Sequence, residues 1–198
     1  ILQNKIGSKQ LNRFIIIPLG IEIAKGSHAN IIIIDKKNKT IERFEPNGAN
    51  EPLQFNYNSS LLDNLLKSKF STILSGYKYI KPKDYLPIIG FQMLEISDEE
   101  CKEIGDPNGF CAVWCVWYAS YRIKNPDVDI KVLVKELINN IKLENISFKN
   151  VIRNFSKKIS NLRDEFIKKF NLSINFFIFK DIDNDIFKNI EKKIYELL

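Results

Sequence analysis

The chain has 198 residues, 44% of them hydrophobic and 12% aromatic, enough apolar material for one well-buried core. That excludes intrinsic disorder and leaves little room for two full domains. No apolar run approaches the roughly 20 residues that span a bilayer, and the net charge of +6 comes from lysines spread along the whole chain, the pattern of a solvated surface before that of a nucleic-acid footprint.

In chain order, residues 13–17 read as a β-branched strand that Pro18 ends. Residues 29–35 and 40–45 read as two further strands, joined by the polar turn Lys36-Lys37-Asn38-Lys39. Pro46-Asn47-Gly48 breaks the second. Ser59 and Ser60 can cap a short helix with Leu61, Leu62, Leu65 and Leu66 as its apolar stripe. Residues 77–80 suit a strand, 82–90 an irregular connection, and 98–104 a short helix closed by Gly105. Residues 110–123 are apolar nearly all round, which predicts a central helix packed on several sides and ended by Asn125-Pro126.

Amphipathic periods then predict helices over 128–142, with Ile130, Leu133, Val134, Leu137, Ile138 and Ile141 inward, and over 147–170, with Val151, Phe155, Ile159, Leu162 and Phe166 inward. Residues 174–179 suit a strand and 186–198 a last helix. With no internal repeat and no linker, one α+β domain over 1–198 is the economical reading: a mixed central β-sheet flanked by helices. Its motif-bearing part is 13–126 and its helical part 127–198. The chain opens at Ile1 without Met or a signal-like segment, which suggests a fragment or processed product.

His28 is the only histidine. A thiol nucleophile at neutral pH needs one imidazole to take its proton and one acidic or amide group to orient that imidazole. If the hairpin turn is centred between Lys36 and Lys37, His28 and Glu45 stand directly opposite, with Cβ atoms about 4.5–5.5 Å apart. Cys111 follows the turn Asp106-Pro107-Asn108-Gly109 in the first turn of the central helix. Free amide N–H groups and the helix dipole lower a thiol pKa there. Cys115, among Trp114, Trp117 and Tyr118, reads as inert packing, and Cys101 lies in a polar, acidic helix. Read alone, His28 could be a surface histidine, Glu45 an ordinary strand-end charge and Cys111 a small core residue. Three cysteines are an odd number for a disulfide scaffold and point to a reducing compartment. A Cys₃His zinc site does not fit, because Cys111 and Cys115 share one apolar helix and no C-x₂-C knuckle exists.

The string Phe14-Ile-Ile-Ile-Pro18, the strand opening at His28 and the return strand ending at Glu45 resemble the Ulp/SENP and adenain cysteine proteases. Asp106 to Cys111 resembles the Gln-x-x-Gly-x-Asp-Cys-Gly element that opens that clan's central helix. Gly109-Phe110-Cys111-x-x-Trp114 with Arg122 to Pro126 resembles divergent versions in large DNA viruses. The resemblance covers about 13–126. It implies the Ulp/adenain-like fold, with the nucleophile at the N-terminus of a buried central helix, and a cysteine peptidase with a His28, Glu45, Cys111 triad. It implies no cofactor and no metal. The expected substrate is ubiquitin, a ubiquitin-like conjugate or a viral structural polyprotein, met by a monomer with no membrane contact in the cytoplasm, host cell or virion interior; nucleic acid is favoured only by charge.

Three departures stand out. Ala29 replaces the family's Trp, which forms part of a lid over a Gly-Gly tail, and Ala112 replaces the Gly after the nucleophile. Asp106 occupies the place of the oxyanion Gln, yet an ionised Asp carries no donor. Gln92 is the amide that could serve instead, and Asp106 could simply cap the helix. An acyltransferase on the same scaffold and a catalytically inactive binding module are the alternative readings.

Overall fold

Four strands form one mixed sheet in the computed structural model, which describes residues 13–23, 26–50, 55, 57–96 and 109–171. They are β1 (Phe14–Ile23), β2 (Gly26–Asp35), β3 (Thr40–Phe44) and β4 (Lys78–Ile80), in that order across the sheet. The first three are antiparallel, and β4 runs parallel to β3. Parallel neighbours need a crossover, supplied here by helix α1 (Ser59–Ile73). The architecture is α+β.

β1 continues past Pro18, where the sequence predicts an end. Pro18 pairs with Ile31 from the edge of the sheet, the position in which a residue without an N–H is tolerated. On β2, Ile31 and Ile33 point into the larger core while Ile32 and Ile34 point to the opposite face. Both faces are covered, so this strand reads as a continuous apolar run.

The β2–β3 turn is centred one residue later than expected. Asp35 pairs with Thr40 and Ile31 with Phe44, so the centre lies between Lys37 and Asn38. The Asp35 carboxylate causes this by accepting from the backbone N–H groups of Lys37 at 3.0 Å and Asn38 at 3.2 Å. Lys39, at φ 52°, closes the loop.

Helix α1 corrects a second expectation. Its cap is Asn58, whose Oδ1 accepts from the Leu61 N–H at 2.9 Å, and its buried residues are Ser59 and Asp63. Leu61 and Leu65 are 67% and 55% exposed, while Leu66 and Phe70 pack on Ile32, Ile34 and Ile41. The ion pair from Arg43 to Asp63, with Nε to Oδ1 at 2.7 Å, turns the helix away from the leucine stripe.

The other face carries α2 (Phe91–Ile96), α3 (Cys111–Lys124), α4 (Ile130–Leu143) and α5 (Phe148–Phe170). α3 is central, burying Trp114, Cys115, Trp117, Tyr118, Ala119 and Arg122. Tyr118 stacks on Phe44 with centroids 4.0 Å apart and donates its hydroxyl to Glu42. Arg122 explains the Arg-x-x-Asn-Pro string: its Nη1 donates to the carbonyls of Asn125 and Pro126, both at 3.1 Å, and its Nε to Glu42 at 3.2 Å. Helix-end carbonyls are thereby satisfied inside the core. α4 buries Leu133, Val134, Leu137 and Ile141 as its period predicts. In α5 the fully buried described positions include Phe148, Ile152 and Arg153. Of the predicted stripe, Val151 and Phe155 pack on the core at partial burial, whereas Leu162 is exposed. The expected helix over 98–104 with Cys101, residue Asp106, the strand over 174–179 and the helix over 186–198 lie outside the described residues.

Candidate active site

The β2–β3 ladder ends at Ile31 and Phe44, while the β1–β2 ladder continues to Gly26. The chain therefore leaves β3 at Glu45 beside the start of β2. By the shifted register Glu45 would not stand directly opposite His28, and the β2–β3 ladder has ended before either residue. Glu45 still reaches His28, because the chain turns sharply: the Gly48 N–H bonds the Glu45 carbonyl at 3.0 Å, with Gly48 at φ +117°. The turn is stitched to the segment before α2. The Gly90 N–H donates to the Asn47 carbonyl at 2.9 Å and the Gln92 N–H to that of Pro46 at 3.0 Å. A Cβ on Gly48 or Gly90 would overlap the other loop's backbone, so this contact requires glycine on both sides.

The Glu45 carboxylate is buried and fully used. Oε1 meets His28 Nε2 at 2.7 Å and the Asn47 N–H at 3.0 Å. Oε2 accepts from the Tyr57 hydroxyl at 2.7 Å and Asn30 Nδ2 at 2.8 Å. Burial raises its pKa, but the bonds to His28, Asn47 and Tyr57 outweigh that and hold it below the usual range. Since an ionised carboxylate only accepts, His28 Nε2 carries a proton and Nδ1 is the free ring nitrogen. Among the described residues Nδ1 has no hydrogen-bond partner. Phe55 covers the imidazole with ring centroids 4.7 Å apart.

Cys111, half-buried, opens α3. Burial pushes its thiol up, but the His28 imidazole and the backbone N–H groups of Ala29 and Ala112 outweigh burial and hold it below the ordinary thiol value. His28 responds in the opposite sense. Burial lowers it, yet Cys111 and Glu45 together raise it from 6.5 to about 9. The two shifts describe one coupled site that favours thiolate and imidazolium. Cys115 is buried, and its thiol is pushed well above normal by that burial and by the Glu45 charge.

Gln92, the amide named from the sequence as an oxyanion candidate, lies on α2. Its side chain is 95% buried (5% exposed). Its Oε1 has no partner among the described residues, and its Nε2 lies 3.4 Å from the place a Cβ on Gly109 would occupy. It is thus next to the start of α3. Asp106, the other oxyanion candidate, lies outside the described residues. Sequence reasoning missed Asn30, Asn47, Phe55 and Tyr57. One signal was present: His28 and Asn30 are polar at alternate positions entering an apolar strand, so both point to one face. Among the described residues no group of three His, Cys, Asp or Glu could hold a metal ion, and no helix is long and apolar enough to cross a membrane.

No family model matches the chain. It is 45% identical over 174 residues to the putative ankyrin repeat protein L371 of Acanthamoeba polyphaga mimivirus, an alignment covering 84% of this chain and 23% of that relative. The chain thus spans about a quarter of the length of the curated relative it matches. Among solved structures it is similar to the Chlamydia trachomatis effector protein Cdu1 bound to ubiquitin, at 15% identity and a TM-score of 0.37, over 71% of this chain and 50% of that one. It is also similar to the Chlamydia trachomatis effector ChlaDUB1, at 14% identity and a TM-score of 0.36, over 71% of this chain and 46% of that one.

Proposed function

We propose that the protein is a cysteine peptidase in which Cys111 is the nucleophile, His28 the general base and acid, and Glu45 the group that orients His28. The observation that carries this reading is geometric: His28 Nε2 meets the buried Glu45 carboxylate at 2.7 Å, which leaves Nδ1 without a partner among the described residues while Cys111 opens α3. The opposed directions of the Cys111 and His28 pKa shifts agree with it. His28 takes the Cys111 proton, and the thiolate attacks a substrate amide carbonyl. The oxyanion is met by amide N–H groups at the start of α3 and by Gln92 Nε2. His28 then protonates the leaving amine, and water hydrolyses the thioester. None of these steps calls for a cofactor.

A ubiquitin-like conjugate is the first substrate to test, because the motifs around His28, Glu45 and Cys111 resemble the Ulp/SENP pattern; a viral structural polyprotein is the second. The test is mass spectrometry after incubation with ubiquitin- and SUMO-based electrophilic probes, beside a Cys111→Ala variant. One adduct on Cys111, absent in the variant, supports the reading and names the modifier. Fast alkylation of Cys111 by iodoacetamide without either adduct moves the substrate to polyprotein. A slow, unselective Cys111 leaves a binding module.

A further inference from the structure

Glu45 does not simply sit beside His28; it is fastened from behind. Asn30, two residues along β2 from His28, donates from Nδ2 to Glu45 Oε2 at 2.8 Å. On the other side of that amide, Arg43 Nη1 donates to Asn30 Oδ1 at 2.5 Å. Arg43 is clamped in turn by Asp63 of α1, with Nε to Oδ1 at 2.7 Å and Nη2 to Oδ2 at 2.9 Å, and Tyr79 adds its hydroxyl to Asp63 Oδ1 at 2.8 Å. Asn30, Arg43 and Asp63 are all buried.

The chemistry of this row permits one arrangement. A guanidinium only donates and a carboxylate only accepts. An amide wedged between them must turn its oxygen to Arg43 and its NH₂ to Glu45. We propose that Asn30 is a positioning residue for the reaction at Cys111, locked in one orientation by Arg43 and Asp63, so that helix α1 holds the Glu45 carboxylate from across the sheet. The inference rests on the thiol, imidazole and carboxylate reading given above.

Without Asn30, two consequences act in the same direction. Glu45 Oε2 loses a donor and the carboxylate is freer to turn from His28. Arg43, already 3.9 Å from Oε2, loses its amide partner and can pair with Glu45 directly. Either change weakens the hold of Glu45 on the imidazolium, so the thiolate is harder to form. Among the described residues, the charged and titratable groups facing Glu45 are His28, Arg43, Tyr57 and Cys115, with Cys111 reached through His28. Of these, only Arg43 depends on Asn30 for a hydrogen bond.

The test is the pH dependence of Cys111 alkylation by iodoacetamide in wild type, Asn30→Leu and Asn30→Asp, with folding followed by circular dichroism. Leucine keeps the size and removes both bonds. Ionised aspartate keeps an acceptor for Arg43 but has no proton to donate to Glu45. In both variants the acid limb is expected to move up by about one pH unit, lowering the rate below that limb about tenfold. A wild-type profile in folded Asn30→Asp would show that Asn30 serves only Arg43, and would overturn the proposal. A wild-type profile in folded Asn30→Leu would overturn it equally. An ordinary thiol profile in the wild type would overturn the peptidase reading together with this one. Should the variants not fold, the wild-type Asn30 side-chain amide NMR signal is expected to shift as the Cys111–His28 pair titrates, and a signal that stays fixed overturns the proposal.

Discussion

Cys111 and Cys115 stand one turn apart on α3, and the same strand residue treats them in opposite ways. The Ala29 N–H lies toward the Cys111 sulfur, where it stabilises an anion. The Ala29 carbonyl accepts from the Cys115 thiol at 3.5 Å, which rewards the proton that thiol holds. His28 sits beside the first sulfur, whereas burial and the Glu45 charge press on the second. A thiol's reactivity here follows from whether the backbone N–H or the carbonyl of Ala29 faces it, and from where on the helix it stands.

The sharpest way to break this contrast is to exchange the two sites. Cys111→Ala is expected to abolish probe labelling and hydrolysis, whereas Cys115→Ala is expected to leave both within a few-fold; equal losses in the two variants would dissolve the distinction. Glu45→Gln comes next. Replacing a buried carboxylate that orients a histidine costs on the order of 10⁴ in kcat where measured in a Ser-His-Asp site, and a loss of that order is expected here. Gln92→Ala should lower kcat by about 10²–10³, the typical loss of an oxyanion donor, while leaving iodoacetamide alkylation of Cys111 unchanged. A parallel fall in alkylation would assign Gln92 to packing.

The pH dependence sharpens the same comparison. Folding raises His28 from 6.5 to about 9, so the stability it contributes is complete below 6.5 and is lost as pH rises through about 9. Cys111 runs the other way: its lowered pKa contributes above the ordinary value of 9.0 and is lost as pH falls through the folded value. Between the two limbs both groups are charged. Activity is therefore expected to decline near pH 9 on the basic side, and Glu45→Gln should narrow the window from both ends in a pH–rate profile. The smallest effect concerns α1. Leu61→Ala, at 67% exposure, should change unfolding free energy by less than about 0.5 kcal/mol, against about 2–5 kcal/mol for Ile33→Ala in the core, both read from urea unfolding.

Sequence patterns reported the four described strands and the central helix, because β-branched runs and an all-round apolar helix are local signals, and a lone histidine drew attention to His28, which the structure places against Glu45. They misplaced the hairpin centre, since the Asp35 carboxylate sets it through two backbone bonds that leave no trace in periodicity. The His28–Glu45 contact survives the shift because Pro46-Asn47-Gly48 turns the chain back toward β2. The leucine stripe of α1 failed for a different reason. A buried Arg43–Asp63 ion pair, invisible to hydropathy, decides which side of the helix faces the sheet. Tyr57 was illegible in the same way, since its partner Glu45 lies 12 residues away, whereas Asn30 left a trace only in its alternation with His28 on β2 and none of its bond to Glu45.

The most direct test is the rate of iodoacetamide alkylation of each cysteine in the folded wild type against pH, resolved by peptide mass mapping. The account predicts that Cys111 already reacts fast at neutral pH, with its rate falling only on the acid side of the ordinary thiol range, while Cys115 stays protected throughout. A Cys111 rate that rises only near the ordinary thiol pKa, matching Cys115, would contradict it.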